Sequence, residues 1–162
     1  MDITFQTGEG RFNDRVCAII IRENRLLAMH DERSPYFYLP GGRVRMHETV
    51  EEAVLREMKE ELETNARIIR PLWLSQSFFI EEVSREKYHE LCFYFLVSVN
   101  GLEQGETFTL YEGGHTHTFE WLPFEQLREA YLHPSFIKEE IFHLPQTLTL
   151  RVDEEYERSP SL

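Results

Sequence analysis

Val50, Val54, Met58 and Leu62 recur every fourth position, with Leu55 beside them, and predict an amphipathic helix that turns one apolar stripe to a core. Thr49, with Glu52 three residues on, marks its start as a capping box. Around this helix the pattern is that of strands. Residues 16–22 are a β-branched run, Glu23-Asn24 is a turn signal, and residues 25–30 read as the returning strand. Residues 31–35 are loop-like. Residues 36–39 read as a short aromatic strand that stops at the breaker Pro40-Gly41-Gly42. Residues 68–81 and 88–99 predict two long strands around a charged turn at 82–87. The segment 91–97 is apolar at successive positions, as a central strand buried on both faces would be. A loop over 100–105, a short strand over 107–111, a loop over 112–115 and a strand over 116–122 follow. Pro123-Phe124 and Pro134 then open two helices, to about Tyr131 and about His143. Residues 148–152 predict a final strand. Residues 1–13 are polar and expected to be frayed, and residues 154–162 are a polar tail.

Strands precede, surround and follow the helices without strict alternation, which predicts an α+β class with a mixed β-sheet packed between helices. There is no internal repeat and no linker-like segment. The expectation is a single domain over 1–162, with its core at about 14–143 and a tail at each end.

Composition narrows the possible functions. The chain has 162 residues and a formal net charge of −12. Such a balance argues against a nucleic-acid polymer as partner, because that affinity rests on Lys and Arg neutralising phosphates. A small phosphate substrate remains compatible if a cation mediates. Cys17 and Cys92 are the only cysteines and both lie in apolar runs, so they are expected to be buried thiols rather than a disulfide framework. No basic-plus-apolar leader opens the chain, and no apolar run approaches the ~20 residues that span a bilayer. The expectation is a cytoplasmic protein with no membrane partner.

The candidate chemistry sits on the predicted helix. Glu57, Glu60 and Glu61 stand at i, i+3 and i+4 and so share one face, beside the apolar stripe rather than opposite it. Crowded carboxylates of this kind repel by ~0.2–0.5 kcal/mol per exposed pair. A divalent cation would turn that repulsion into coordination. Arg56 lies one turn from both Glu52 and Glu60 and can pair with either.

Read as a whole, the segment from Gly42 resembles the box of the Nudix hydrolases, G-x5-E-x7-R-E-U-x-E-E-x-G-U, where U is bulky and aliphatic. Gly42, Glu48, Arg56, Glu57, Met58, Glu60 and Glu61 all stand at the required spacing, after a Leu39-Pro40-Gly41 lead-in similar to the family's. Two positions depart: Glu63 stands where the family has glycine, and Thr64 where it has an aliphatic. Glycine there would end the helix in a left-handed turn. With Glu63 the helix is expected to run on to about Asn65. The order of strands and the Glu120-Trp121-Leu122-Pro123 segment extend the resemblance over roughly 14–143.

The resemblance implies an α/β/α sandwich and hydrolysis of a nucleoside diphosphate linked to another moiety, with a nucleoside triphosphate or a nucleotide sugar as the substrate class. It also implies Mg²⁺ or Mn²⁺, which suit hard oxygen ligands. Glu57 and Glu61 are the implied main ligands, with Glu60 as ligand or water-mediated partner and a backbone carbonyl at Gly41 or Gly42 completing the set. The catalytic candidates are Glu60, Glu61 and the loop residue Glu112, either Glu60 or Glu112 serving as general base, with Glu90 a weaker third choice for that base. Glu48 and Arg56 are expected to tie loop to helix. Phe37, Tyr38 and Arg43 are the candidate substrate contacts, the two aromatics by stacking on a base, with packing the favoured competing role. His115 and His117 lack a third zinc-type ligand and are expected at the surface or substrate edge. Trp73 and Trp121 are expected in the core. A Nudix-like module that binds a nucleotide without cleaving it is the alternative function. The proline or tyrosine that marks some ADP-ribose and dinucleoside polyphosphate hydrolases is missing from Gln76-Ser77-Phe78-Phe79-Ile80. Both monomer and homodimer remain open.

Overall fold

In the computed structural model, which describes residues 1–102 and 107–158, ten strands are seen: β1 (Thr4–Thr7), β2 (Gly10–Ile19), β3 (Ile21–Arg22), β4 (Arg25–Asp31), β5 (Gly41–Arg43), β6 (Ala66–Ile80), β7 (Lys87–Val99), β8 (Thr107–Glu112), β9 (His115–Pro123) and β10 (Thr149–Glu154). The helix α1 spans Val50–Leu62. A 3-10 helix covers Phe124–Glu129, and α2 (Ile137–Glu140) continues as a 3-10 turn at Ile141–His143. The loop expected over 100–105 and the end of the C-terminal tail lie partly outside the described residues.

The larger sheet has the order β1-β2-β7-β6-β10, with β5 also paired to β2, and it mixes parallel and antiparallel ladders. A second sheet, β3-β4-β9-β8, is antiparallel. The run 16–22 is therefore not one strand of one sheet. It turns a corner at Ile20, with β2 in the larger sheet and β3 in the smaller. α1 lays Ala53, Val54, Met58 and Leu62 on Val16, Ala18, Phe95 and Val97, while Leu127, Leu132, Ile137 and Ile141 cover Cys17, Ile19, Trp73 and Tyr94 on the other side. β-Structure thus lies between helical layers, as an α/β/α sandwich of the α+β class. Trp73, Trp121, Cys17 and Cys92 are all buried, and both thiols are free.

Several local expectations change. Residues 1–13 are not frayed: Phe5 and Phe12 stack at 5.0 Å across the β1–β2 ladder, and Thr4 Oγ1 donates to Asn13 Oδ1 at 2.7 Å. Tyr36–Leu39 is not a strand. Phe37 and Tyr38 make only isolated bridges, to Leu132 and Met29. The glycine pair is itself the strand, β5, laid antiparallel on Arg15–Cys17. A Cβ at Gly41 would stand 2.1 Å from Val16 O, so only glycine permits this approach.

α1 starts as predicted, with Thr49 Oγ1 accepting from Glu52 N and Glu52 accepting from Thr49 N. Its end does not run on to Asn65. The helix stops at Leu62 and Glu63 takes the left-handed cap itself, at φ 53° and ψ 28°. The following Thr64 hydroxyl anchors the exit by donating to Asn100 O at 2.6 Å. Glu63→Gly is expected to relieve about 1 kcal/mol of backbone strain. In a thermal melt that is a rise of about 2–4 °C. A fall in melting temperature would show that the Glu63 side chain stabilises this cap more than its conformation costs.

Candidate active site

β5 and α1 meet face to face at Gly42. A Cβ there would fall 2.2, 2.3 and 2.5 Å from Cδ, Oε1 and Oε2 of Glu57, so the glycine leaves the exact volume that the carboxylate occupies. Glu57 is only 12% exposed, and burial raises its carboxyl above the ordinary glutamate range despite a hydrogen bond from Arg56. One turn on, Glu61 Oε2 accepts the Gly41 amide at 3.1 Å, so two acids of the helix bracket the glycine pair. Glu60 stands further out, 38% exposed, near Arg45 Nη2 at 3.5 Å.

Arg56 organises the carboxylates. It grips Glu48 with two hydrogen bonds, Nε to Oε1 at 2.6 Å and Nη2 to Oε2 at 2.9 Å. It also donates to Arg43 O at 3.0 Å, to Glu57 Oε1, and to Glu60 Oε2 at 3.2 Å. Glu48 in turn accepts the Arg45 amide at 2.9 Å. This is the loop-to-helix tie expected of Glu48 and Arg56, and it reaches further, into two of the three clustered acids. Among the described residues no three His, Cys, Asp or Glu side chains are gathered as a ready ligand set. The carboxylates are instead spaced by guanidinium groups, which offset the same repulsion that a cation would. The donor set still fits a hard divalent cation: carboxylate oxygens at the edge of the core, beside glycine backbone that no side chain screens.

Beside Gly42 opens a cleft of about 880 Å³, at the large end of ligand-sized pockets. Its floor is the larger sheet, through Asn13, Arg15, Ser77, Glu90 and Tyr94, and its rim includes Tyr36, Tyr38, Arg43, Phe79 and His133. Tyr38 donates to Asp31 Oδ2 at 3.2 Å, and Arg33 holds the same carboxylate from Nε and Nη2 at 3.1 and 2.5 Å. Burial would push Asp31 up, yet the Arg33 hydrogen bonds and charge, with the Tyr38 hydroxyl, bring it down to about 2. The folded value lies below the ordinary 3.8. The stability this ion pair contributes is therefore complete above pH ~4 and is lost as pH falls towards 2. Melting temperature is expected to drop across that window in the wild type and to drop less in Asp31→Asn. Parallel curves would show that Asp31 does not carry the effect.

The structure brings Gly42, Tyr38 and Arg43 to one cleft, with Glu57 directly behind Gly42 and Glu61 on the Gly41 amide. It does not bring Phe37 there. Phe37 packs edge-on to His30 at 5.0 Å, on the core side of the rim. Glu90 is on the floor, 9% exposed, accepting from Asn13 Nδ2 at 3.3 Å. Glu112 ends β8 opposite His115, in the smaller sheet, and its side chain lies outside the described residues. His115 Nδ1 pairs with Glu32 at 3.0 Å, and His117 Nδ1 is buried without a partner. Sequence reasoning missed Arg15, Tyr36 and His133 as cleft residues. Arg15 alone gave a signal, as a charge directly before the apolar run that begins at Val16.

Known proteins resemble this chain in sequence and fold. A model of the NUDIX domain fits residues 11–143. A curated ADP-ribose pyrophosphatase from Methanocaldococcus jannaschii is 49% identical over 49 residues, a match that covers 28% of this chain and 29% of that protein. The chain thus aligns with less than a third of the length of that relative. Many solved structures share the fold. An ADP-ribose pyrophosphatase from Streptococcus suis has a TM-score of 0.59 at 16% identity, over 87% of this chain and 98% of its own. A MutT protein from Bacillus halodurans has a TM-score of 0.61 at 16% identity, over 88% and 89%. With the box residues converging on Gly42 and a domain model spanning most of its length, this chain belongs to the NUDIX family.

Proposed function

We propose that this protein hydrolyses the phosphoanhydride of a nucleoside diphosphate linked to a sugar, using a divalent cation, Mg²⁺ or Mn²⁺, seated on the Glu57, Glu60 and Glu61 face of α1. The observation that carries the reading is Gly42, whose missing side chain is the space filled by the Glu57 carboxylate, at the edge of a ligand-sized cleft. In this reading Glu57 and Glu61 are the principal ligands, and a carbonyl at Gly41 or Gly42 adds a neutral oxygen. When bound, the cation supplies charge neutralisation at the phosphoryl oxygens and acidifies an attacking water. Glu60, more exposed than Glu57, or Glu112 would serve as the general base towards that water. Glu48 would keep Arg56 in place, and the Arg56 bond to Arg43 O holds the helix face at fixed distance from β5.

The lining supports a sugar over a third phosphate. Asp31, Glu81, Glu82, Asp153, Glu154 and Glu155 crowd the rim and the wall, against Arg15, Arg33 and Arg43. Carboxylates accept hydrogen bonds from sugar hydroxyls but repel a terminal phosphate. The names of the Methanocaldococcus jannaschii and Streptococcus suis proteins point the same way, to a nucleotide joined to ribose.

The test is phosphate release, after a coupled phosphatase, from nucleotide sugars, ADP-ribose, dinucleoside polyphosphates and nucleoside triphosphates in Mg²⁺ or Mn²⁺. Turnover is expected to favour the sugar-linked substrates and to fall by about 10²–10³-fold in Glu61→Gln, the effect of several kcal/mol of lost charge stabilisation. No turnover on any of them, with nucleotide-dependent thermal stabilisation, would move the protein to the non-cleaving module.

A further inference from the structure

Arg15 carries a positive charge into the floor of the cleft where the sheet leaves one of its donors unsatisfied. It stands in β2 between Cys92 of β7 and Arg43 of β5, its backbone in register with both. Its Nε is buried and has no hydrogen-bond partner. A buried donor left without an acceptor costs about 1–3 kcal/mol, more when charged. Folded proteins seldom carry such a group without a reason. The other cleft arginines are engaged: Arg33 is committed to Asp31, and Arg43 leans to Asp2 at 3.9 Å. Glu90 acts as a counter-charge that opposes the cost of burying the Arg15 guanidinium, but Glu90 Oε2 takes the Asn13 amide and Arg15 Nε receives nothing from it. Arg15 is also close enough to Glu57 for its charge to favour the ionised carboxylate. Arg15 therefore lines the cleft with its Nε unpaired beneath the surface, within electrostatic range of Glu57.

We propose that Arg15 forms a phosphoryl-binding subsite on the cleft floor. It takes non-bridging oxygens of the phosphate group that the α1 cation does not neutralise. This rests on the hydrolase reading above. The geometry suits a phosphate rather than a hydroxyl, because guanidinium offers parallel donors and full charge to an anion. In a cleft with this acidic excess, it also explains how a dianionic diphosphate can lie across the sheet rather than only at the cation.

The experiment uses the full chain, with Arg15→Lys and Arg15→Met as variants and inorganic pyrophosphate as probe. Melting is first recorded without ligand, then with pyrophosphate in a chelator, so that no cation contributes. The wild type is expected to be stabilised by pyrophosphate, Arg15→Lys less, and Arg15→Met not at all. Steady-state kinetics on the best sugar-linked substrate are expected to show KM raised by at least about 10-fold in Arg15→Lys with kcat within about 3-fold, because lysine keeps the charge and loses the fork. If Arg15→Met fails to fold, Arg15→Lys, which still answers Glu90, decides. Pyrophosphate stabilisation and KM unchanged in Arg15→Lys would overturn the subsite while leaving the hydrolase reading in place. Arg15-dependent pyrophosphate binding in a protein that cleaves nothing would support the subsite and overturn the hydrolase reading instead.

Discussion

Gly42→Ala is expected to lower kcat/KM by about 10²-fold or more while the protein still folds. The added Cβ would lie 2.2–2.5 Å from the Glu57 carboxyl atoms, where van der Waals contact needs about 1 Å more. Something must move, and the surroundings say what. β5 is fixed to β2 through Arg15–Cys17, while the Glu57 carboxyl is the far end of a side chain. The carboxylate is displaced, away from the glycine backbone. A misplacement of ~1 Å in a positioning group is enough for ~10²-fold in rate. The cost in stability is that of modest overpacking, ~1–3 kcal/mol. Kinetics with melting on the same preparation check this, and near-wild-type turnover in a folded Gly42→Ala would mean that the Glu57 position is not critical.

Glu57→Gln has the larger effect and a distinctive sign. Turnover is expected to fall by ~10³-fold, because a main anionic ligand becomes a neutral amide. Stability is expected to hold or rise. Burial raises the Glu57 carboxyl above its ordinary value, and an acid whose folded pKa is raised opposes folding once it ionises. Glutamine removes that opposition, while Arg56 retains Glu48, Glu60 and Arg43 O as acceptors. Loss of activity and retained or higher melting temperature at neutral pH, without metal, is the pattern of a residue kept for function at a cost to stability. A variant that loses both would mark Glu57 as a structural partner of Arg56.

The sequence was most legible where periodicity and capping agree. Val54, Met58 and Leu62 of the α1 stripe and the Thr49–Glu52 box give the helix start and its buried face directly, although Leu55 is exposed, and the two long strands announce themselves by length and apolar content. What could not be read were features set by distant partners. β1 and the first half of β2 are polar at alternate positions, and they become strands through the Phe5–Phe12 stack and the Thr4–Asn13 bond. Pro40-Gly41-Gly42 reads locally as a breaker, but the glycines are there to lie against β2 and Glu57. Glu63 takes a left-handed cap against its own preference because Thr64 ties the exit to Asn100. In the candidate site the spacing of Glu57, Glu60 and Glu61 was visible in the chain. The cleft was not, since its floor is assembled from Arg15, Ser77 and Glu90 on three neighbouring strands, and only the register places them together.

The most direct measurement is a Mn²⁺ titration followed by electron paramagnetic resonance, on the wild type, Glu57→Gln and Glu61→Gln, with no nucleotide present. A cation seated on this helix face requires binding by the wild type that weakens at least about tenfold, ~1.4 kcal/mol, in each variant. Equal binding by all three proteins would place the cation elsewhere and contradict the assignment of α1 as the metal-holding face.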